Sequence, residues 1–339
     1  MDDSELLIVL IFNLDKEICK GDPDELAAIQ DTAKTAEYLY QAILKLGYRI
    51  EKIETGSSLN TFREVMNRFP TKSTLVFNNC DGFRGENLGS VKIARVLESM
   101  NFKHTGAPSN VIYDCISKSR AKTRLVRNKV PTPRFQIFKQ TGSECRLSFP
   151  MIIKPVAEDA SMGIELDSVV TTERDLFERI AYINTVYDEP AIVEEYIVGR
   201  EFAVAMWGND PVEVLPVAEE DFGHIDDPLK AFLTYEAKWI EDSYYFKEIN
   251  SRPAVLAAEM DQKIRETAIN AFHAMGLRDI GRVDIRYKDD VPYVIDVNEL
   301  PDLSPESGFP RTVRAAGYTY ESMVEKILDI ALRREGLRK

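Results

Sequence analysis

The stretch GRVDIRYKDDVPYVIDVNE, residues 281–299, carries the strongest structural signal in the chain. Polar and apolar residues alternate over 282–287 and again over 293–298. The turn-rich KDDVP between the two segments predicts that they form a β-hairpin.

The polar residues of this hairpin should collect on one side, because residues two apart on a strand share a face. Arg282, Asp284 and Arg286 are therefore expected on one face of the first strand. Asp296 and Asn298 are expected together on a face of the second.

The register of the hairpin decides what these residues can do. If Tyr287 pairs with Tyr293, Asp284 lies directly opposite Asp296. Opposed carboxylates repel and destabilise a sheet, and a bound cation removes that repulsion. Oxygen ligands of this kind, with Asn298 beside them, suit magnesium. The alternative is an exposed strand face that merely carries charge.

Upstream of the hairpin, the N-terminal third alternates strands and helices. Strands are predicted at 6–12, 49–54 and 74–78, with helices at 22–46 and 60–69 between them. This β-α-β-α-β order predicts an open parallel sheet with helices on its faces. We assign residues 1–110 to this α/β domain.

The rest of the chain is predicted to form two further units, a small α+β domain at 111–190 and a third at 191–339. Strands are predicted near 135, at 151–155 and at 191–196, and helices at 176–183, 257–275 and 320–334.

Composition narrows the class of function. The chain has 339 residues, too many for one simple core, and its net charge is -13. A general nucleic-acid-binding role is disfavoured because such proteins present a basic face to phosphates. The apolar run at 6–12 is too short to cross a bilayer.

Cysteine and histidine spacing argues against zinc and against a disulfide framework. The residues concerned are Cys19, Cys80, Cys115, Cys145, His104, His224 and His273. The acidic N-terminus lacks the basic start of a signal peptide. A reducing, cytoplasmic location is expected.

Lys154 ends the apolar strand FPMIIKP and could reach into a cleft to contact a phosphate. The alternative is a surface lysine at a strand end. The following EDASMG, 158–163, has the small residues of a phosphate-covering loop. Walker A and GxGxxG motifs are absent, so a P-loop and a Rossmann site lack their main evidence. VEEYIVGREF, 193–202, could offer backbone groups to adenine, or is an ordinary strand end and turn.

Together these segments resemble the ATP-grasp superfamily, and within it the D-alanine–D-alanine ligase-like proteins. The resemblance covers most of residues 75–330 and is an ordered series of motifs. The series is ISKSRAKTRLV, MIIKP, EDASMG, VEEYIVGREF, TYEAKW, GRVDI and VIDVN. The implied fold is α/β and α+β: an N-terminal parallel-sheet (pre-ATP-grasp) domain followed by the two subdomains of an ATP-grasp fold.

The resemblance also implies a set of site residues. Those implied to bind ATP are Lys118, Lys154, Ser161, Gly163, Glu194, Glu195, Ile197 and Glu201. Those implied to act on the reacting groups are Lys238 at the γ-phosphate, Arg282 at the acyl phosphate and Ser307 at the second substrate's carboxylate. Those implied to hold two Mg²⁺ ions, with Mn²⁺ as an alternative, are Asp284, Asp296 and Asn298.

The implied activity is the ATP-dependent joining of a carboxylic acid to an amine through an acyl phosphate, with release of ADP and phosphate. The partners would be amino acids or small amines, and similar ligases are commonly homodimers.

Departures from the family pattern fall at substrate positions. In NELPDLSPESGF, 298–309, Asp302 stands where the family has a glycine, and Asp296 replaces the usual metal-binding Glu. The segment FNLDKEICKGD, 12–22, lacks the GG-x-S-x-E pattern, and Glu17 is one candidate for its role. We therefore expect substrates other than two D-alanines.

Three rival functions stay open. One is an ATP-grasp ligase or carboxylase with a different acceptor, although TYEAKW and the segment at 313–328 look more like the peptide-ligase branch. Another is a non-catalytic nucleotide-binding regulatory protein. The third is a kinase that stops at a phosphorylated product.

Overall fold

The computed structural model describes residues 6–14, 32–86, 88–158, 160–223 and 225–338. The start of the predicted 22–46 helix, together with Glu17, Cys19 and His224, lies outside these residues. Across the described ranges the strands form three sheets.

The first sheet is parallel, with strand order β2-β1-β3-β4. Its strands are β1 (Leu7–Phe12), β2 (Arg49–Glu54), β3 (Thr74–Asn79) and β4 (Lys103–His104). The helices around it are α1 (Thr32–Lys45), α2 (Leu59–Met66), α3 (Gly89–Ser99) and α4 (Ser109–Ile116). The predicted parallel sheet is confirmed. The described part of the first helix ends at Lys45, before Gly47 takes the left-handed conformation at φ +83°.

The second sheet is antiparallel, with order β5-β8-β6-β7. Its strands are β5 (Phe135–Phe138), β6 (Met151–Pro155), β7 (Val169–Val170) and β8 (Ala191–Glu195). Helix α5 (Lys118–Arg127) leads into the sheet and α6 (Glu173–Val186) packs on it. The apolar cluster between α6 and the sheet includes Ile153, Ile180 and Val193.

The third sheet has the order β12-β11-β9-β13-β14, with β10 added beside β9. Its strands are β9 (Arg200–Gly208), β10 (Val212–Val214), β11 (Ala218–Asp221), β12 (Asn250–Pro253), β13 (Asp279–Lys288) and β14 (Val291–Asn298). The associated helices are α7 (Tyr235–Trp239), α8 (Tyr244–Glu248), α9 (Ala258–Met275), α10 (Gly308–Ala315) and α11 (Tyr320–Arg334).

Packing joins the two ends of the chain. One buried cluster contains Leu10 of β1, Leu39 of α1, Trp207 of β9 and Leu328 of α11. The C-terminal helix therefore completes the core on one side of the first sheet. On the third sheet, Val283 packs with helix α9, which leaves the polar side chains of the hairpin on the opposite face.

The domain limits 1–110, 111–190 and 191–339 stay predictions. Strand β8 begins at the predicted start of the third domain but pairs with β5 and β6 in the second sheet. Within the described residues, no helix combines the length and apolar character that a membrane span requires.

Candidate functional site

The predicted hairpin forms, and Asp284 lies directly opposite Asp296, as expected. The register expected near the turn is wrong, because Tyr287 pairs with Pro292 rather than with Tyr293. A bulge between Asp284 and Ile285 shifts the register by one and restores the carboxylate pair.

The bulge has a packing cause. Val294 and Val297 both belong to the buried core, although they are three residues apart and simple alternation would place them on opposite faces. One extra residue, Ile295, lets both valines face the core while Asp296 faces away from it. Neither carboxylate side chain is fully exposed, so the reading of a merely solvated charged face is wrong.

A cleft of about 650 Å³ lies between the second and third sheets and collects most of the predicted site. The predicted residues that line it are Lys118, Lys154, Ser161, Glu194, Glu195, Ile197, Glu201, Lys238, Asp284 and Asp296. They come from both sheets, from helices α5 and α7 and from the loops after β6 and after β8. Tertiary folding thus brings together residues that are far apart in sequence.

Four predicted residues lie off this cleft. Arg282 donates to both oxygens of Asp284 at 2.8 and 2.9 Å. Asn298 lines a neighbouring cleft. Gly163, at φ +69°, packs so closely on Pro155 that a Cβ would lie 2.6 Å from its ring. Ser307 lines neither cleft.

The Ser307 hydroxyl is used within its own loop. It donates to the carbonyl oxygens of Asp302 at 2.6 Å and of Ser304 at 2.9 Å. The residue stands at the N-terminus of α10. The structure therefore does not bring Ser307 to the side chains gathered in the cleft.

At one end of the cleft, two lysines surround a buried carboxylate. Glu194 is 1% exposed, and its Oε2 lies 3.0 Å from Lys122 Nζ and 3.5 Å from Lys154 Nζ. Burial lowers the pKa of Lys122 from its ordinary value, while the charge of Glu194 opposes that shift. Lys154 is buried, so the alternative of a surface lysine is wrong.

Lys122 was missed by the sequence reasoning. It lies four residues after Lys118 in helix α5, a spacing that places both lysines on one helical face. That spacing is visible in KSRAK and would have indicated a second cation at the site.

The other oxygen of Glu194 has a different environment. Oε1 is buried and finds no hydrogen-bond partner among the described residues. Leaving a buried acceptor without a partner costs roughly 1–3 kcal/mol. Glu194 is one of the residues that line the cleft.

Across the third sheet, Glu201 on β9 lies directly opposite Arg286 on β13. Arg286 Nε donates to Glu201 Oε2 at 2.7 Å, and the guanidinium also donates to the Ile197 carbonyl at 2.9 Å. Arg286 was predicted to share the face of Asp284, but its role in holding Glu201 depends on strand pairing. Glu220 lies on the far side of Glu201, and burial followed by the charge of Glu201 raises its pKa.

The hairpin acids sit among fixed cations. Burial favours the neutral form of Asp296, but Lys118 and Lys154 hold its pKa below the ordinary value. Burial also lowers the pKa of Lys238, and the nearby Arg282 lowers it further. Lys118 and Lys154 thus favour the ionised form of Asp296.

The candidate metal ligands are two carboxylates and an amide. Asn298 Nδ2 donates to Asp284 Oδ2 at 3.1 Å, and Asp296 Oδ1 accepts from the Val297 amide at 3.0 Å. Within the described ranges, no group of three or more His, Cys, Asp or Glu side chains is arranged to hold a metal ion.

The second cleft, of about 670 Å³, adjoins the first and shares Lys118 and Asp296 with it. It lies between the end of β3 at Asn78 and the end of β14 at Asn298. A molecule held there would lie beside the hairpin acids.

Comparisons with known proteins agree with this geometry. The family model described as "D-ala D-ala ligase C-terminus" matches residues 125–329. The uncharacterized protein y4sG of Sinorhizobium fredii is 34% identical over 89% of this chain and 88% of its own. The D-alanine–D-alanine ligase of Pseudothermotoga lettingae is 29% identical over 88% of this chain and 94% of its own.

Solved structures agree at the level of the fold. The crystal structure of a D-alanine–D-alanine ligase from Bacillus anthracis, complexed with ATP, aligns with a TM-score of 0.73. The sequence identity is 20%, and the match covers 97% of this chain and 98% of that one.

Proposed function

This chain belongs to the D-alanine–D-alanine ligase family and has the ATP-grasp fold, and we propose that it joins a small carboxylic acid to an amine using ATP. The observation that carries the proposal is a cleft lined by Glu194, by buried lysines and by the hairpin acids, in which one Glu194 oxygen has no partner among the described residues.

The end of the cleft near Glu194 suits adenine. Its Oε1 would accept a hydrogen bond from the adenine amino group, and Glu195 and Ile197, which line the same cleft, would contribute backbone groups. Lys118 and Lys154 would then contact the phosphates. Glu201, held by Arg286, would accept from a ribose hydroxyl.

The hairpin suits Mg²⁺ by its donor chemistry. Carboxylate and amide oxygens are the ligands that this ion prefers, together with phosphate oxygens of the substrate. We propose that Asp284, Asp296 and Asn298 hold it, with Mn²⁺ as a substitute. When bound, the ion would neutralise charge on the ATP phosphates.

The reaction then has two steps. An oxygen of the substrate carboxylate attacks the γ-phosphorus, the bond to ADP breaks, and an acyl phosphate forms. An amine nitrogen next attacks the acyl carbon, phosphate leaves, and the nitrogen loses a proton. Lys238 would bind the transferred phosphoryl group, and Arg282 would stabilise charge developing on the acyl oxygens.

The adjoining cleft is the proposed site for the acid, because it meets the ATP cleft at Asp296. An amino acid or small peptide fits there. Asp302, in place of a glycine, argues for substrates other than two D-alanines. Ser307 and Glu17 stay candidates for substrate contacts.

The test is a turnover assay with ATP, Mg²⁺ and a panel of amino acids, measuring ADP, AMP and phosphate. ADP and phosphate formed only when acid and amine are both present would support the ligase. AMP and pyrophosphate would overturn the acyl-phosphate mechanism. Asp296→Asn is the control variant for the metal, and we expect it to lose Mg²⁺-dependent turnover.

A further inference from the structure

The third sheet carries a second pair of opposed carboxylates beside the ATP cleft. Glu220 on β11 lies directly opposite Glu201 on β9, and Glu201 lines the cleft. Opposed residues on antiparallel strands share a face of the sheet, with Cβ atoms roughly 4.5–5.5 Å apart. Glu220 therefore stands beside Glu201 on the face of the sheet that is turned to the cleft.

The preceding residue, Glu219, points to the other side of the sheet. It lies opposite Phe202, whose side chain belongs to the core against α9. Its carboxylate accepts from Arg200 Nε at 2.7 Å and from Arg200 Nη2 at 2.9 Å. Because successive side chains of a strand alternate, Glu219 and Glu220 are neighbouring acids of one strand with different surroundings.

Each carboxylate of the Glu201–Glu220 pair has one oxygen bound within the protein. Arg286 Nε donates to Glu201 Oε2 at 2.7 Å, and the Ser251 hydroxyl donates to Glu220 Oε1 at 3.1 Å. Arg286 lies opposite Glu201 on β13, and Ser251 lies opposite Glu220 on β12. The four side chains thus form one row across the sheet, with the two carboxylates in the middle.

This row contains one cation, Arg286, for two acids. Burial, followed by the charge of Glu201, raises the pKa of Glu220, while the hydrogen bond from Ser251 opposes that shift. Like charges placed directly opposite each other destabilise a sheet. A ligand that presents two neighbouring hydrogen-bond donors, one to each carboxylate, would offset this repulsion.

The ribose of a nucleotide has this chemistry, because its 2′ and 3′ hydroxyls are neighbouring O–H donors. One oxygen of Glu201 is bonded to Arg286, so a second acceptor beside it gives each hydroxyl its own carboxylate. We propose that Glu220 is a specificity-determining residue, which together with Glu201 accepts hydrogen bonds from the two ribose hydroxyls and so makes the site select ribonucleotides over deoxynucleotides. This role rests on the proposed ATP site.

Calorimetric titration with ADP, 2′-deoxy-ADP and 3′-deoxy-ADP, in the presence of Mg²⁺, tests this role without turnover. The wild type should bind ADP at least about tenfold more tightly than either deoxy analogue, since each missing hydroxyl removes a hydrogen bond to a charged group. In Glu220→Ala, the Kd for ADP should rise by about the same factor. One of the two analogues should then bind as tightly as ADP, because the hydroxyl that it lacks no longer has a partner.

The adjacent acid of the same strand supplies a matched control. Glu219→Ala is the corresponding substitution on the opposite face of β11, where Glu219 pairs with Arg200, and all three affinities should match the wild type. Glu220→Gln keeps an acceptor oxygen in a side chain of the same shape. It should retain about a fivefold preference for ADP over the analogue concerned, as expected for a neutral hydrogen bond.

The ratios of the three affinities are the decisive readout. If Glu220 acted only through its charge or through the fold, its loss would change all three affinities by the same factor and leave their ratios as in the wild type. Wild-type ratios in Glu220→Ala would therefore overturn the proposal while the ATP site stands. Failure of the wild type to bind ADP would instead overturn the proposed function, and the role of Glu220 with it.

Discussion

The protein contains two buried clusters of charged side chains, one around Asp279 and one around Glu194. They differ in whether both oxygens of the central carboxylate have partners within the described residues. Asp279 is 0% exposed and accepts four hydrogen bonds: two from Arg334 at 2.8 Å, one from Asn209 and one from the Gly106 amide. Every oxygen of this carboxylate has partners within the protein. We call this group the Asp279 cluster.

The Asp279 cluster connects distant parts of the chain. Arg334 ends the C-terminal helix α11, Asp279 begins β13, and Gly106 follows the last strand of the first sheet. Arg334 also donates to the His104 carbonyl at 2.8 Å. These bonds fasten the third sheet to the first.

The Glu194 cluster, with Lys122 and Lys154, is equally buried but incomplete. One carboxylate oxygen meets both lysines, and the other has no partner among the described residues. A buried carboxylate whose two oxygens are both paired within the protein stabilises the fold. A buried carboxylate with one unpaired oxygen can in addition accept a hydrogen bond from a ligand. From this difference we propose that the Asp279 cluster stabilises the fold and that the Glu194 cluster binds a ligand.

The largest effect is expected from breaking the completed cluster. Arg334→Met should lower the free energy of unfolding by about 3–5 kcal/mol, because it leaves Asp279 as a buried charge without its cation. Urea unfolding followed by circular dichroism measures this. The control is Arg333→Met. Arg333 pairs with Asp329 at the surface, so its loss should lower the free energy of unfolding by about 1 kcal/mol or less. Equal losses in the two variants would contradict the assigned role.

A smaller effect, on binding, is expected from the incomplete cluster. Glu194→Gln removes a charged acceptor, and a hydrogen bond to a charged group contributes about 1.5–3 kcal/mol. The Kd of a non-hydrolysable ATP analogue should rise by at least about tenfold in calorimetry. Glu178→Gln, on the exposed side of α6, is the control. If Glu194→Gln bound the analogue with wild-type affinity, adenine would not bind at this end of the cleft.

The smallest effect is expected at the edge of the Asp279 cluster, where Glu98 approaches His104 at 3.7 Å. Burial favours the neutral carboxyl, but the nearby His104 and hydrogen bonds from the Ser109 amide and hydroxyl hold its pKa at about 2 instead of 4.5. A lowered folded pKa stabilises the protein above pH 4.5, and this stability is lost as the pH falls from about 4.5 through 2.

Glu98→Gln should therefore reduce stability at pH 7 by about 1 kcal/mol, a discounted figure because the side chain is about one-third exposed. The difference from wild type should shrink between pH 4.5 and pH 3 in urea unfolding. A difference that is constant over this range would show that the Glu98 charge is not its source.

Much of the fold could be predicted because strands and helices are encoded by nearby residues. Strand β2 was predicted at its observed limits, and β1 within one residue. The hairpin was predicted with the right carboxylates opposed. The bulge in the hairpin was not predicted. It is needed because both Val294 and Val297 pack into the core against α9, and that core exists only in the folded protein.

The side-chain contacts that the sequence reasoning missed join residues that are far apart in the chain. Lys122 pairs with Glu194, and Arg286 holds Glu201. Each partner is remote in sequence, so no local pattern reveals the pair. The helical spacing of Lys118 and Lys122 is the one signal that was available.

The sequence by itself determined the α/β and α+β class, the ATP-grasp order of motifs and the carboxylates of the hairpin, because periodicity and motif order depend on neighbouring residues. Tertiary structure alone decided which buried carboxylate has partners for both of its oxygens. Asp279 meets an arginine and an amide brought by other elements, while Glu194 Oε1 has no partner among the described residues. The same side-chain chemistry is thus fully hydrogen-bonded within the protein at one position and keeps an open acceptor at the other, since only packing sets what surrounds it.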